Sequence, residues 1–472
     1  MLVDKHSPET LKRADKQLYE IIEPAQPRAL SSAEYHRGLP SELQRADADV
    51  HRLIEAEYDR QQNMLQLIAA ENHCSRAVLA ALGCAVQNKT TEGFVGRRFH
   101  GGCEIVDRLE SLAIERAKEA FGAKYANVQP HSGTSANQIV LAAILNSGDR
   151  ILSLGTDQGG HVSHGDRVAF AGKFFDIQQY QVDPASFLLD YDAIRRQALE
   201  FKPRLIICGA SAYSRVIDFN RFRAIADEVG AYLLADISHI SGLIIAGVHP
   251  SPVDAAHFTT TSTYKPGGPR GGLIVMGRDF DAPFQMSKRS VPLWERIEKA
   301  TFPGFQGTPY LNNIAAKAVF LKETLSDEYQ SRQRRIIDNA KALATVFDGL
   351  GYDVLTGGTD NHMFLIDVTH FRPGLTGAIT QHCLEDCGVV VNMNRLPYDR
   401  HSPKVTSGMR LGTPIVTRNG MGPAEMTIIA HWIDRVLATV EILDDQTYRL
   451  DESLQQETLN SVRNLCNRFP MR

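Results

Sequence analysis

Long apolar runs are absent from this sequence, and so is a strong excess of charge of either sign. No stretch reaches the roughly 18 uninterrupted apolar residues that a membrane-spanning helix needs. The formal net charge is −4, which gives no basis for nucleic acid or an anionic membrane as a partner. The opening residues Met1-Leu2-Val3-Asp4-Lys5-His6 lack the basic-then-apolar pattern of a signal peptide. We therefore expect a cytoplasmic protein that has no membrane partner.

Cysteine is also scarce and shows no paired spacing. The seven cysteines are an odd number scattered along the chain, which is typical of reduced thiols in a cytosolic protein. Cys383 and Cys387 lie four residues apart but have no second pair to complete a zinc site. We expect no disulfide framework and no metal site.

The length and composition indicate a globular protein with more than one domain. A chain of 472 residues exceeds what one core usually holds, and 43% hydrophobic with 22% charged residues is ordinary for a globular chain. We predict an N-terminal extension and arm at 1–85, a large domain at 86–321 and a small C-terminal domain at 322–472. Within the extension, Leu11 to Ile22 is expected to form one amphipathic helix.

Apolar strands alternate with helical stretches up to about residue 320. Such β/α alternation predicts an α/β fold with a mostly parallel sheet and helices on both faces. A helix from Asn312 to Thr324 then leads into a smaller α+β region with strands at Met363–Ile366 and Val389–Val391. The strands predicted for the sheet are Tyr125–Val128, Arg150–Leu154, Leu205–Cys208, Tyr232–Ala235, Phe258–Thr263 and Leu273–Met276.

Lys265 stands where a strand of hydroxyl-bearing residues leaves the core and a Pro/Gly-rich turn begins. Lysines usually stay solvated, so a lysine at this position indicates chemistry. Pyridoxal phosphate (PLP) enzymes use such an amine to form a Schiff base with the cofactor. A structural lysine in a Gly-rich loop is the alternative for Lys265 taken alone.

Asp236 ends another apolar strand, 29 residues before Lys265. A parallel strand places its last residue at the ligand-binding edge of the sheet, where a carboxylate can hold the pyridine nitrogen of PLP protonated. A helix N-cap is the alternative. The segment Ser132-Gly133-Thr134 opens a helix and can bind a phosphate through backbone N–H groups and hydroxyls. Together, these three features predict PLP as the cofactor.

Further motifs occur in order along most of the chain: Leu67–Asn72, Thr91–Gly93, Gly101–Glu104, Ala126–Gly133, Gly159–His161, Ser211–Ser214, Gly357–His362 and Thr406–Pro414. On these motifs the chain resembles serine hydroxymethyltransferase, a fold-type I PLP enzyme, from about Arg37 onward. The resemblance implies transfer of a one-carbon unit between tetrahydrofolate and a small amino acid.

The resemblance also implies roles for individual residues. Lys265, Glu92, Asp236 and His161 are the expected catalytic residues, with the His161 ring stacked on the cofactor. Arg410 is expected to bind the substrate carboxylate with its guanidinium fork, beside Ala70, Glu92 and His100. Glu92 would come from the neighbouring subunit, so we expect a homodimer or a tetramer with shared sites. The cofactor-binding residues implied are Thr90, Ser132, Gly133, Thr134, His161, Ser211, Asp236, His239, Ser262, Tyr264, Lys265 and Phe305.

The chain departs from the family pattern around the cofactor phosphate. Tyr264 replaces a histidine, Thr90 replaces a tyrosine that reaches the phosphate across the dimer, and Phe305 replaces a glycine. Phe99 and His100 stand at a Tyr-Tyr pair. Losing a phenol at Thr90 and gaining one at Tyr264 predicts that one phosphate donor has moved between subunits.

The substrate and folate sides are altered too. Ala70 replaces a serine and Ser262 a threonine, changes that could admit a methyl group on Cα of the amino acid. The expected folate contacts are Gly160, Val162, Asn394 and Phe99, together with Glu92. The further departures on the folate side are Thr156, Val162 and Lys404.

These features leave several functions in competition. The favoured hypothesis is a hydroxymethyltransferase acting on D-alanine and 2-methylserine. Ordinary exchange of glycine and serine is the second, and a folate-independent aldolase for 2-methylserine or a β-hydroxy amino acid is the third. A non-catalytic relative that binds RNA or a protein is disfavoured because Asp236, Lys265 and Arg410 are all present.

Overall fold

The computed structural model describes residues 40–471. The helix predicted at Leu11 to Ile22 lies outside the described residues. Within the described residues, the chain divides into two compact units at residue 55, namely 40–55 and 56–471. In the described part of the chain, no helix combines the length and apolar character that crossing a membrane requires.

Residues 40–121 form four α-helices and three short strands. Strands β2 (Gly93–Phe94) and β3 (Arg97–Arg98) form an antiparallel hairpin. Strand β1 (Leu65–Gln66) pairs in parallel with the strand Val389–Val390. The bounds are α1 (Pro40–Ala46), α2 (Ala48–Asn63), β1 (Leu65–Gln66), α3 (Arg76–Leu82), β2 (Gly93–Phe94), β3 (Arg97–Arg98) and α4 (Glu104–Phe121).

A seven-stranded sheet is the centre of the second unit. Its strands are β4 (Tyr125–Asn127), β5 (Arg150–Leu154), β6 (Asp176–Tyr180), β7 (Leu205–Cys208), β8 (Tyr232–Asp236), β9 (Phe258–Ser262) and β10 (Gly272–Met276). The spatial order is β4-β10-β9-β8-β7-β5-β6. Strands β6, β5, β7, β8 and β9 pair in parallel, and only β10 runs against its neighbours β9 and β4. The predicted α/β fold with a mostly parallel sheet is confirmed.

Helices cover the sheet because its central strands are buried on both faces, as expected for parallel strands. All residues of β7, β9 and β10 are buried. The helices of this region are α5 (Gly133–Ile144), α6 (Phe170–Phe174), α7 (Tyr191–Phe201), α8 (Phe219–Val229) and α9 (Ser241–Ile245).

A hairpin and two helices follow the sheet. The hairpin consists of β11 (Pro283–Gln285) and β12 (Ser290–Pro292), and the helices are α10 (Leu293–Lys299) and α11 (Leu311–Thr324). Short one-turn helices lie in the connections at Ala85–Asn88, Thr156–Gln158, Val162–His164, Ala300–Phe305 and Leu355–Gly357.

The C-terminal region is built on a four-stranded antiparallel sheet. Its strands lie in the order β13 (Asp353–Val354), β14 (Met363–Asp367), β17 (Gly408–Gly412) and β16 (Asn392–Asn394). A hydrophobic cluster from residues 343–466 also takes in Leu65 and Leu67. The predicted small domain and its boundaries stay a prediction. The elements are α12 (Asp327–Gly349), β13 (Asp353–Val354), β14 (Met363–Asp367), α13 (Val368–Phe371), α14 (Gly377–Asp386), β15 (Val389–Val390), β16 (Asn392–Asn394), β17 (Gly408–Gly412), α15 (Pro414–Arg418), α16 (Pro423–Thr439), β18 (Glu441–Ile442), β19 (Tyr448–Arg449) and α17 (Glu452–Arg468).

Candidate active site at the carboxyl edge of the sheet

The carboxyl ends of β4, β5, β7, β8 and β9 lie at one edge of the sheet, because β4 pairs with the reversed strand β10 and so runs the same way as the others. Ligands of open α/β sheets bind at this edge. The segments that leave it are 128–134, 155–161, 209–214, 236–239 and 262–265. They carry most of the site residues predicted from the sequence.

Asp236 is buried at the end of β8 and accepts four hydrogen bonds. Its Oδ2 lies 3.0 Å from His164 Nε2 and 2.8 Å from Asn137 Nδ2. Its Oδ1 accepts from the backbone N–H of Ser238 at 3.0 Å and from its hydroxyl at 2.6 Å. Burial raises the pKa of Asp236, but the hydrogen bond and charge of His164, together with His161 and Asn137, outweigh burial and hold that pKa well below its ordinary value. Asp236 is therefore an ionised acceptor, as a partner for a pyridinium must be.

Lys265 is connected to this carboxylate through two serines. Its Nζ lies 3.2 Å from Ser262 Oγ, the Ser262 N–H donates to Ser238 Oγ at 2.9 Å, and Ser238 in turn bonds Asp236. The Lys265 carbonyl accepts from Asn72 Nδ2 at 3.1 Å, which fixes the turn after β9. Lys265 and Asp236 are thus linked by hydrogen bonds through the side chain and backbone of Ser262 and the side chain of Ser238. The catalytic roles of the two residues stay predictions.

The segment Ser132-Gly133-Thr134 forms the N-terminus of α5, which is 12 residues long. Ser132 is the N-cap, and its Oγ accepts from the Ser135 N–H at 3.0 Å. A Cβ added to Gly133 would lie 3.2 Å from both Cβ and N of Ser262. The helix N-terminus therefore lies directly against the strand that carries Lys265, and its first N–H groups have no partner within the helix. This arrangement fits the phosphate of PLP.

His161 and Asp236 are joined by a network that the sequence did not reveal. His161 Nδ1 lies 2.8 Å from Ser163 Oγ, and Ser163 Oγ accepts from Asn137 Nδ2 at 2.9 Å. Asn137 Oδ1 accepts from Thr260 Oγ1 at 2.6 Å. Burial lowers the pKa of His161 to about 4, so its ring is neutral at pH 7. A neutral ring is well suited to stacking on an aromatic cofactor.

Arg410 lies on β17 and is oriented by two acceptors. Its Nε donates to Asn392 Oδ1 at 3.1 Å, and one Nη donates to the Ser211 carbonyl at 2.6 Å. Burial lowers the pKa of Arg410 to about 10, which leaves it charged at neutral pH. Ser211 is thus placed next to Arg410, and the guanidinium keeps N–H groups for a substrate carboxylate.

His239 stacks on His362, with 5.6 Å between ring centroids and 3.4 Å between His239 Nδ1 and His362 Nε2. Burial lowers the pKa of His239 well below its ordinary value, and the nearby charges of Lys265 and Arg410 add to that effect. The same burial lowers the pKa of His362 to about 3. Both rings are neutral, so neither adds a positive charge that would repel Lys265 and Arg410.

The Tyr264 ring lies beside two cations. Lys265 Nζ is 4.9 Å and Arg270 Cζ 4.3 Å from its centroid. A negative ring face attracts such cations. The phosphate contact expected of Tyr264 stays a prediction.

Four predicted residues, Thr90, Glu92, Phe99 and His100, lie apart from this group within one chain. Thr90, Phe99 and His100 are exposed, and Phe99 is 75% exposed with its ring 5.3 Å from Phe302. A Cβ added to Gly307 would lie 3.5 Å from Glu92 Oε1. Among residues 40–471, no hydrogen bond, ion pair or ring contact joins these four residues to Lys265 or Arg410. That Glu92 serves a partner's site stays a prediction.

The remaining predicted residues border the site. Ala70 follows Ala69, which packs against Gly412 beside Arg410. Gly160 lies so close to the Leu154 carbonyl that a Cβ would approach it to 2.2 Å. Val162 is exposed beside His161, Asn394 Nδ2 donates to the Arg395 carbonyl at 2.6 Å, and the exposed Phe305 ring contacts Phe170. The folate contacts stay predictions.

Sequence reasoning missed four residues that the structure places in the site: Asn137, His164, Ser238 and His362. Each lies next to or inside a motif that was singled out, so nearness along the chain was the available signal. Asn137, His164 and His362 reach site residues 72 to 123 positions away, as with His164–Asp236 and His239–His362. Ser238 contacts Asp236 two residues away and Ser262 24 residues away.

Comparisons with known proteins agree with this geometry. A family model described as serine hydroxymethyltransferase matches residues 43–433. The serine hydroxymethyltransferase of Methanosarcina barkeri is 44% identical over 432 residues, covering 91% of this chain and 99% of its own. That of Acinetobacter baylyi is 44% identical over 430 residues, covering 91% and 98%. That of Acinetobacter baumannii is 44% identical over 426 residues, covering 90% and 97%.

Proposed function

The chain belongs to the serine hydroxymethyltransferase family, and from that premise we propose that its principal reaction is the exchange of glycine and serine. It is a fold-type I PLP-dependent one-carbon transferase with tetrahydrofolate as co-substrate. The proposal reverses the order of preference drawn from the sequence, because the relatives are named for serine and the case for 2-methylserine rests on Ala70 and Ser262 alone.

One observation carries the proposal. Asp236 and Lys265 are linked through hydrogen bonds at one edge of the sheet. The guanidinium of Arg410, oriented by the Ser211 carbonyl, lies near the same edge. The stacked rings of His239 and His362 belong to the same site. This arrangement provides an attachment point for the cofactor, an ionised partner for its ring nitrogen and a cation for an amino acid carboxylate.

The chemistry then divides among these residues. Bound PLP supplies an electron sink that makes bonds at the substrate Cα labile. Asp236 holds a proton on the ring nitrogen, and its four donors keep it ionised. Arg410 fixes the carboxylate and so orients the bond to be broken. Lys265 holds the cofactor and takes part in proton transfer at Cα. Glu92 of the partner subunit is proposed to move the proton of the substrate hydroxyl.

A second candidate is exchange between D-alanine and 2-methylserine. Ser262 Oγ lies 3.2 Å from Lys265 Nζ, so the methyl that a threonine would carry is missing beside the reacting amine. One methyl changes discrimination by about 1–3 kcal/mol, which would broaden the substrate range without excluding serine. A folate-independent aldolase is the third candidate.

A homodimer in the cytoplasm is part of the proposal.

A substrate screen tests these candidates. We expect purified enzyme to convert serine to glycine faster with tetrahydrofolate than without it, and to act on 2-methylserine with a lower kcat/KM. A clear preference for 2-methylserine would establish the second candidate. Equal rates on a β-hydroxy amino acid with and without tetrahydrofolate would establish the third. The variant Ser262→Thr is the matched control, since it should lower activity on 2-methylserine more than on serine.

A further inference from the structure

Lys317 is a buried lysine that the proposed chemistry does not use. It lies on α11, and only 1% of it is exposed. Burying an ammonium ion costs several kcal/mol, and an apolar residue would fill this position of the helix without that cost. The residues around it must therefore satisfy the charge.

Three backbone carbonyls converge on its amine. Lys317 Nζ donates to the carbonyls of Val128 at 2.7 Å, Pro130 at 3.0 Å and Gly272 at 2.9 Å. An ammonium has three N–H donors and no acceptor, so three acceptors satisfy it completely. A neutral amine would turn its lone pair toward one of these oxygens. The coordination therefore favours the charged form, although burial lowers the pKa of Lys317.

The three carbonyls belong to the two segments that build the cofactor site. Val128 and Pro130 lead directly into Ser132-Gly133-Thr134, and Gly272 closes the loop that begins at Lys265. The Gly272 N–H also donates to the Pro130 carbonyl at 3.0 Å, and a Cβ on Gly272 would come within 2.2 Å of the Ser132 carbonyl. Lys317 thus joins the N-terminus of α5 to the strand that follows the Lys265 loop.

The charge of Lys317 also acts electrostatically on the segment that leads into Ser132-Gly133-Thr134. Glu110 is the carboxylate that raises its pKa, but the Glu110 oxygens already accept from Arg98 and Gln129. Burial lowers the pKa of His131, the residue before Ser132, and the positive charge of Lys317 lowers it further. Its field therefore reaches the helix N-terminus, where it would favour an anion.

We propose that Lys317 is a positioning residue for the cofactor phosphate. It holds the Ser132-Gly133-Thr134 turn in place through three carbonyls and adds positive charge behind it. This inference rests on the proposed assignment of that turn to the phosphate of PLP.

The test compares binding of PLP and pyridoxal, which lacks the phosphate, to the apoenzyme by visible absorbance. Lys317→Met should weaken PLP binding by about 10- to 100-fold, the effect of losing charged hydrogen bonds, and change pyridoxal binding by less than about threefold. Lys317→Gln keeps two donors and should give an intermediate loss. Thr324→Val is the matched control, since Thr324 is buried on the same helix and bonds only within it.

Each outcome decides the matter. Equal losses for the two ligands, or no loss, would overturn the role of Lys317. If Lys317→Met does not fold, the same ratio measured on Lys317→Gln decides. Ser132→Ala separates the two proposals: if it leaves the preference for PLP over pyridoxal unchanged, the phosphate assignment itself fails. If it abolishes that preference while the Lys317 variants keep it, only the inference about Lys317 fails.

Discussion

Asp236 shows how a few contacts set the chemistry of one residue. Taken alone, a carboxylate at a strand end is as consistent with a helix cap as with catalysis. The structure gives it four donors, and burial makes each of them stronger than in water. The ionised form is therefore favoured by its surroundings, and that form is the one that a cofactor ring nitrogen requires.

The variant Asp236→Asn tests this account at the residue scale. An amide is uncharged and offers one oxygen where four donors now converge. The cofactor ring nitrogen would therefore lose its anionic partner. We expect kcat to fall by about 10²-fold or more, while Ser238→Ala, which keeps the carboxylate, should lose much less. Steady-state rates of serine cleavage with tetrahydrofolate provide the measurement. Similar losses in the two variants would contradict the role of the charge.

At the scale of elements, the site depends on how a helix begins beside a strand. Gly133 is the first residue of α5, and it lies close to Ser262 and to Ser238 Oγ, which is 3.3 Å from its added Cβ. The helix N-terminus and the Lys265 strand therefore cannot move independently. A change in either should alter cofactor binding.

The variant Gly133→Ala tests the contact. Its methyl would force the helix away from Ser262, at an overpacking cost of about 1–3 kcal/mol, and we expect weaker PLP binding in a fluorescence titration. Gly349→Ala is the control, because a Cβ at Gly349 meets nothing within 4 Å. Unchanged affinity in Gly133→Ala would show that the close packing has no part in binding the cofactor.

The elements also show what the sequence could predict. The bounds of Arg150–Leu154 and Leu205–Cys208 are as predicted, because central parallel strands are continuous apolar runs that stand out. The strand Asp176–Tyr180 was missed, since it lies at the sheet edge and alternates exposed and half-buried residues. Lys265, Asp236 and the helix start were recognisable from local pattern. Asn137, His164 and Lys317 were not, because their partners come from distant segments.

At the scale of the whole molecule, buried histidines link stability to pH. His73 is 7% exposed, and neither ring nitrogen has a hydrogen-bond partner among the described residues. Burial lowers the pKa of His73 to about 4 from an ordinary 6.5. The unfolded chain therefore binds more protons than the folded chain between these two pH values. The contribution of His73 to the free energy of unfolding is fully present above pH 6.5 and is lost as the pH falls toward 4.

We expect the melting temperature of the holoenzyme to fall over this pH range. His73→Phe replaces the imidazole with an aromatic ring that cannot be protonated. The variant should therefore show a smaller fall in melting temperature at low pH and little change at pH 8. Thermal unfolding followed by circular dichroism gives both curves. Parallel curves for the two proteins would show that His73 is protonated equally in the folded and unfolded states.

Sharing of active sites between subunits is a proposal about the whole molecule. If Glu92 serves the partner's site, mixing Glu92→Gln with Lys265→Ala during refolding should form hybrid dimers with one intact site. Random pairing predicts recovery of about a quarter of wild-type activity, while each variant alone stays inactive. No recovery in a mixture shown to contain hybrids would place Glu92 and Lys265 in the same chain's site.

The central claim is that this sheet edge binds PLP through Lys265. The most direct measurement is borohydride reduction of the holoenzyme followed by mapping of the labelled peptide. We predict the label on Lys265 and its loss in Lys265→Ala. A label on another lysine, above all on the buried Lys317, would contradict the account.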